Sequence, residues 1–335
     1  MSQKLIELAK VFQTPLKLNA KAGDKVLIMT DTQMDPLLWQ ALATAANGLD
    51  MEPVVTLMTP RAHHAANPAS PVMHAALDPA VDLVVYLTST AMAHAKLTED
   101  LVDANKKFIL MEELTVDMLK PGGPAWADYE AMNRLGLKIA KVYTEGDTVR
   151  VTCPNGTDLT VSIKGRPGRS IAGMPLALHP GKGGGCAFPD GEAHVCPVEG
   201  TGEGRVVFDL TAHSVGALKE PIVLTIEKGM VTRIEGGHQA QIWRSILERA
   251  GDAGSYNCPA EVSIGLNKNV VPTGSMRTDK KMYATSHIGV GDTVVLGGTC
   301  HAKLRLEGVI RHPEISVDGL TLCRGGRILL DDDPA

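Results

Sequence analysis

The chain is expected to be an α/β protein in two parts: an N-terminal doubly wound parallel-sheet domain over residues 1–145, followed by a β-rich α+β domain over 146–335. Three observations predict this. Short apolar runs alternate with helical patterns in the first half, period-two alternation broken by turns takes over from Thr148, and the composition changes at the same place. Residues 1–150 hold 10 of the 14 methionines, 6 of the 34 glycines and none of the 6 cysteines.

The element pattern follows the chain in order. Residues 1–13 read as an amphipathic helix. Apolar runs at 25–30, 53–58, 81–87 and 107–111 have the length of buried parallel strands. Helical patterns lie between and after them at 35–47, 70–77, 91–105 and 126–137. Alternation of this kind gives an open sheet with right-handed crossovers. Beyond the change, strands are expected at 149–152, 158–164, 205–210, 222–228 and 230–235, with a helix near 239–250 and further strands within 315–330. Asn155-Gly156 between alternating segments signals a hairpin.

Composition removes several function classes. Lys+Arg 33 against Asp+Glu 38 leaves a net charge of -5, so no basic footprint for nucleic acid or an anionic membrane surface exists. No apolar stretch approaches the roughly 18–20 residues that span a bilayer, and the N-terminus lacks a signal-peptide pattern. A cytoplasmic protein with a small-molecule or short-peptide substrate is the expectation. Cys153, Cys186, Cys196, Cys258, Cys300 and Cys323 form no Cys-x-x-Cys and are read as small buried hydrophobes.

The first half offers little chemistry. The segment after its first strand, Thr30-Asp31-Thr32-Gln33-Met34-Asp35, has no glycine, so a dinucleotide lacks its close backbone approach. His63, His64, His74 and His94 are taken as surface residues, and the half is assigned a scaffold or substrate-wall role. His179-Pro-Gly-Lys-Gly-Gly-Gly185 lacks the Walker spacing and is read as a flexible loop over a cleft.

Metal-ligand residue types gather in four later segments: Phe188–His194, Ala260–Asn267, Ser286–Asp292 and Gly297–Glu307. Glu192 and Glu261 each sit in an apolar, glycine-rich context, where an unpaired ionised carboxylate is costly. A divalent cation is one solution; a salt bridge to Arg205, Lys228 or Lys280 is the other. His194, two residues after Glu192, shares its face on a strand or stands at the rim.

These segments, in this order, resemble the aminopeptidase T metallopeptidase superfamily, which also includes 2,5-dihydroxypyridine 5,6-dioxygenase. The resemblance is carried by Asn155–Thr160 with Gly165-Arg166, Pro189–Glu192, Pro197–Gly200, Ala260–Asn267, His287–Asp292, Gly297-Gly298 and Pro313–Gly319. It implies a metal-binding second domain, one or two divalent ions (zinc, manganese or iron(II)) and a homodimer. Carried over by motif, Glu192, Glu261 and His287 match metal ligands. The terminal His-x-Asp is replaced by Arg305-Leu-Glu307, and a guanidinium cannot bind metal. Glu307 can still ligate, and His301 stands four residues before Arg305. The superfamily's Asp-Glu-Lys segment is altered to Asp279-Lys280-Lys281.

The leading expectation is a metal-dependent hydrolase of an amide bond in a peptide or small, possibly cyclic, nitrogen compound, acting through metal-activated water. Glu192 is ligand or base, Glu261, His287 and Glu307 are ligands, and His301 and His194 are further ligand candidates. Arg305 either clamps a substrate carboxylate or neutralises Glu307. An iron(II) ring-cleaving dioxygenase is the alternative; it needs a His, His, carboxylate set, whereas the matching positions Glu261, Arg305 and Glu307 contain no histidine. A non-catalytic small-molecule-binding protein with a degenerate metal site is the third reading.

Overall fold

The computed structural model describes residues 2–62, 66–93, 95–174, 176–177 and 183–332. Two compact units are formed, Met1–Ala127 with Ile171–Asp190 and Asp128–Ser170 with Gly191–Ala335. The division therefore differs from a single boundary near residue 145. The helix Tyr129–Glu145 packs on the strand Glu192–Val195 of the second unit, and Ile171–Asp190 returns to the first.

The first unit is built on a six-stranded sheet ordered Glu52–Met58, Lys25–Asp31, Leu83–Leu87, Lys107–Leu110, Gly184–Ala187 and Leu176–Ala177. The first five strands run parallel and the last antiparallel. Leu27, Ile28, Val84 and Val85 are buried, as continuous apolar strands between helical layers require. The helix Pro36–Asn47 starts where the Asp35 carboxylate accepts the Leu37 N–H, and buries Leu38, Ala41, Leu42 and Ala45 at helical spacing. Asp31 accepts from Gln33 N–H, Ser89 N–H and Ser89 Oγ, so it ties two strand ends together.

Part of the glycine run expected as a loop is a strand instead. Gly184–Ala187 pairs with Lys107–Leu110, and a side chain at Gly185 would stand 2.0 Å from the Phe108 ring, so only glycine lets the strand lie there. His179–Lys182, like His63, His64 and His94, lies outside the described residues; His74 is exposed on the helix Ser70–Leu77.

The second unit contains two sheets. An eight-stranded antiparallel sheet runs Met230–Gly236, Ile222–Glu227, Glu203–Phe208, Thr157–Ser162, Thr148–Cys153, Glu314–Val317, Leu320–Arg324 and Arg327–Ile328. Its hairpin at Asn155-Gly156 forms as expected: Gly156 has φ +102°, and Asn155 Oδ1 accepts from Thr157 N–H. A seven-stranded sheet runs Gly216–Ala217, Thr211–Ala212, Arg305–Ile310, Ser286–Gly291, Glu261–Gly265, Glu192–Val195 and Gly168–Ile171. Four cysteines, Cys186, Cys196, Cys258 and Cys323, are buried, in keeping with packing roles. No helix among the described residues is long and apolar enough to cross a membrane.

Gly265 ends its strand where the segment after the short helix Met276–Asp279 crosses it. Ala284 N–H donates to Gly265 O, Gly265 N–H donates to Thr285 O, and an added Cβ would meet Met282 O at 2.0 Å. Gly265→Ala is expected to cost about 1–3 kcal/mol of unfolding free energy through overpacking. A urea titration of both proteins measures it, and an unchanged midpoint contradicts the close approach.

Candidate functional site

Strand pairing gathers the polar residues on one face. In the antiparallel register Glu192 faces Gly265, His194 faces Ser263, Glu261 faces Gly289, and Gly289 in turn faces Glu307. Gly291 faces Arg305 and His287 faces Val309. Directly paired residues point to the same side, as do residues two apart. Glu192, His194, Glu261, Ser263, His287, Arg305 and Glu307 therefore share one face of four adjacent strands. The intervening Ala193, Val195, Val262, Ile264, Ile288, Val290 and Leu306 pack on the other side and are buried.

The five ligand-type residues are all buried: Glu192, His194, Glu261, His287 and Glu307. They form two groupings able to hold a metal ion, Glu192 with His194 and Glu261, and Glu261 with His287 and Glu307. His194 Nδ1 lies 3.6 Å from Glu192 Oε1 and 3.6 Å from Glu261 Oε1. His287 Nε2 lies 3.3 Å from Glu261 Oε1 and 3.7 Å from Glu192 Oε2. Ligand atoms about 2.0–2.2 Å from a tetrahedral ion stand roughly 3.3–3.6 Å apart, and these pairwise separations lie near that range.

Neither ring nitrogen of His194 and not Nε2 of His287 makes a hydrogen bond, although both side chains are buried. Burial pushes the His194 pKa down against the pull of Glu261 and Glu192. Ser263 holds the His287 ring: its hydroxyl lies 2.5 Å from Nδ1 and 3.1 Å from His287 O, and it accepts from His287 N–H at 3.1 Å, so that Nε2 is turned towards Glu261.

Three cations compensate the three carboxylates. Lys281 Nζ lies 2.6 Å from Glu192 Oε2, and Lys280 Nζ lies 2.8 Å from Glu307 Oε2. Arg305 spends all of its nitrogens within the protein: Nε donates to Glu307 Oε1 at 3.1 Å, Nη1 to Asp292 O at 2.6 Å, and Nη2 to Glu261 Oε2. Burial alone would raise all three carboxyl pKa values, but the surrounding charges outweigh it. Lys281 and His287 hold Glu192 low, His287, His194 and Arg305 hold Glu261 low, and Lys280 with Arg305 holds Glu307 well below the usual range.

The salt-bridge alternative for Glu192 and Glu261 is therefore realised, with other partners than expected. Arg205 and Lys228 are exposed, and Lys280 serves Glu307. Of the two roles considered for Arg305, the geometry provides charge neutralisation. His301 is exposed and belongs to neither ligand grouping. The sequence reasoning did not single out Ser263, although its place two residues after Glu261 on a strand puts it on the ligand face.

Arg305 depends on a fastened loop. Glu199 Oε1 accepts from Thr293 Oγ1 at 2.7 Å, Thr299 N–H at 2.7 Å and Cys300 N–H at 3.3 Å, while its other oxygen pairs with Arg166. Arg166 and Arg169 also donate to the carbonyls of Gly297 and Leu296. These bonds fix the turn that follows Asp292, the residue whose carbonyl holds Arg305.

A buried polar sheet face bearing three glutamates and two histidines, in a chain that forms a parallel α/β unit and a β-rich unit, has the residue inventory of a possible metal site. The family model described as NicX, 2,5-dihydroxypyridine 5,6-dioxygenase, matches residues 7–274, and the chain belongs to that family. Two solved structures share the fold. A 2,5-dihydroxypyridine dioxygenase from Pseudomonas putida KT2440 aligns with TM-score 0.79 at 19% identity, over 96% of this chain and 96% of that one. Wild-type AmpT from Thermus thermophilus aligns with TM-score 0.70 at 16% identity, over 96% and 99%. No curated protein matches the sequence. The superfamily resemblance and the α/β fold class read from the sequence are both borne out.

Two measurements check the electrostatic account. Arg305→Met leaves Glu261 without its guanidinium and is expected to cost about 3–5 kcal/mol in chelator-treated protein. Adding Glu261→Gln should recover a substantial part in a double-mutant cycle, and strict additivity speaks against the pair. Glu199, whose carboxyl is pulled to about 2 despite burial by the Thr299 and Thr293 hydrogen bonds and Arg166, contributes stability above its unfolded pKa near 4.5. That contribution fades as pH falls from 4.5 towards 2. Denaturation midpoints of the wild type and Glu199→Gln should therefore differ most at neutral pH and converge in acid; a constant gap contradicts the assignment.

Proposed function

We propose that the chain is a divalent-metal enzyme of the ring-cleaving dioxygenase type, acting on a small hydroxylated nitrogen heterocycle such as a hydroxypyridine. The observation that carries this reading is Glu261 Oε1 within 3.6 Å of His194 Nδ1 and 3.3 Å of His287 Nε2. A two-histidine, one-carboxylate set is the ligand inventory of non-haem iron(II) oxygenases. The sequence discounted ring cleavage because positions 261, 305 and 307 lack histidine. His194 and His287 supply the two imidazoles from other strands, and family membership supports the same chemistry.

Glu261, His194 and His287 would hold the ion, with Glu192 beside them. Bound iron(II) supplies the redox capacity that lets dioxygen react with an electron-rich ring. The chain's own contribution is positional and electrostatic. Ser263 steadies the His287 ring at Nδ1, burial lowers the His194 pKa, Arg305 takes Glu261 Oε2 and leaves Oε1 towards both histidines, and Lys281 takes Glu192 Oε2 and leaves Oε1 towards His194. Metal-dependent amide hydrolysis is the second reading, and one observation favours it: Glu192 gives the same centre a second carboxylate, available as a general base for water. The dimer implied by the superfamily resemblance belongs to both readings.

The test is oxygen uptake by anaerobically iron(II)-loaded protein on a panel of hydroxypyridines. Turnover with stoichiometric oxygen consumption is expected, falling at least about 100-fold in His194→Ala and His287→Ala. Absence of oxygen uptake, together with zinc-dependent cleavage of cyclic or peptide amides, replaces this reading with the hydrolase.

A further inference from the structure

Lys281 is buried and its ammonium lies 2.6 Å from Glu192, yet the segment that carries it, between the short helix Met276–Asp279 and the strand Ser286–Gly291, belongs to no strand of either sheet. A flexible four-carbon stem does not fix such a place by itself, so the backbone beneath it must be held. Asn267 grips that backbone on both sides of Met282. Its N–H donates to Lys281 O at 2.9 Å, and its carbonyl accepts from Tyr283 N–H at 3.1 Å.

Neighbouring side chains close a clamp around this contact. Lys268 Nζ stands 5.3 Å from the centroid of the Tyr283 ring, a cation–π distance. Both groups then meet one carboxylate oxygen: Tyr283 Oη donates to Asp331 Oδ2 at 2.7 Å, and Lys268 Nζ lies 3.1 Å from the same atom. Burial and this hydrogen bond push the Tyr283 pKa up, so the phenol stays a donor at ordinary pH. Asp331 arrives from the other sheet. It follows the hairpin of Leu320–Arg324 and Arg327–Ile328, where Leu329 N–H donates to Leu322 O, Asp331 N–H to Ile328 O and Ile328 N–H to Tyr283 Oη. The Asp331 side chain is only 11% exposed, whereas the adjacent Asp332, paired with Lys138, is 87% exposed and its charge is screened by solvent.

We propose that Asp331 is a positioning residue for the buried polar face: by closing the clamp of Lys268 and Tyr283 it holds Asn267 against the lysine-bearing segment, and so seats the Lys281 ammonium on Glu192. The proposal rests on the Lys281–Glu192 ion pair and on neither reading of the reaction. Removing the Asp331 carboxylate takes away the acceptor that Lys268 and Tyr283 share. The segment then lifts more often from Asn267, and Lys281 opens to solvent at the far end of this chain of contacts.

Trace acetylation of the full chain as purified, with each lysine read by peptide mass spectrometry, tests this without reference to turnover. The wild type should label slowly at Lys281. Asp331→Ala should raise labelling at Lys268 and, about tenfold, at Lys281, while the buried Cys258 thiol stays protected and so reports an intact fold. Asp331→Asn, which keeps an acceptor for Tyr283 Oη, should label less at Lys281 than Asp331→Ala does. Where Asp331→Ala fails to fold, Tyr283→Phe removes a single hydroxyl and should shift Lys281 in the same direction. Unchanged labelling at Lys281 in a folded variant whose Lys268 label has risen overturns the proposal. A rise at Lys281 matched by exposure of Cys258 overturns it too, because that is general loosening. Fast labelling of Lys281 in the wild type overturns the ion pair itself, whereas failure of the oxygen-uptake test leaves every one of these outcomes standing.

Discussion

Three carboxylates on one face of four neighbouring strands are the constraint around which the second unit is arranged. Buried side by side, Glu192, Glu261 and Glu307 would repel one another and lose their hydration, at a cost no apolar packing nearby offsets. Lys280, Lys281 and Arg305 meet that cost, and they come from two parts of the chain. Arg305 lies on the sheet face itself, whereas the two lysines follow the short helix Met276–Asp279 and are carried over the strands by the chain crossing Gly265. The cations decide which carboxylate oxygens remain turned towards the histidines.

Further contacts support that geometry from outside the face. Glu199 and the two arginines beside it fasten the turn after Asp292, and the Asp292 carbonyl steadies the guanidinium that bridges Glu261 and Glu307. Ser263 holds the His287 ring from its Nδ1 side, which leaves Nε2 turned towards Glu261. Hydrogen bonding, ion pairing and strand register thus act on the same few atoms. This coupling is why a change at Arg305 is expected to reach Glu261 and Glu307 together.

Much of the frame was legible in the residues. Apolar runs separated by helical patterns announced the parallel sheet, Asn155-Gly156 announced the hairpin, and Glu192, Glu261 and His287 were found through their surroundings and motif context. Less was legible where local and distant interactions compete. Gly184-Gly185 looked like loop, yet it is strand, because Phe108 needs a neighbour without a side chain. His301 drew attention by proximity in sequence to Arg305, but it stands exposed, as sequence distance along a turn does not fix direction.

What the sequence determined by itself is the alternation along each strand: Glu-x-His at 192–194, Glu-x-Ser-x-Gly at 261–265, His-x-Gly-x-Gly at 287–291 and Arg-x-Glu at 305–307. Period-two geometry alone puts the members of each set on one side of their strand. Only the tertiary structure decided that the four sets share one face, that Arg305 reaches Glu261 across Gly289, and that Lys281 rather than Arg205 or Lys228 meets Glu192. Register between strands far apart in the chain depends on which pairing buries the apolar sides together. That is a property of all four strands at once and of none read singly.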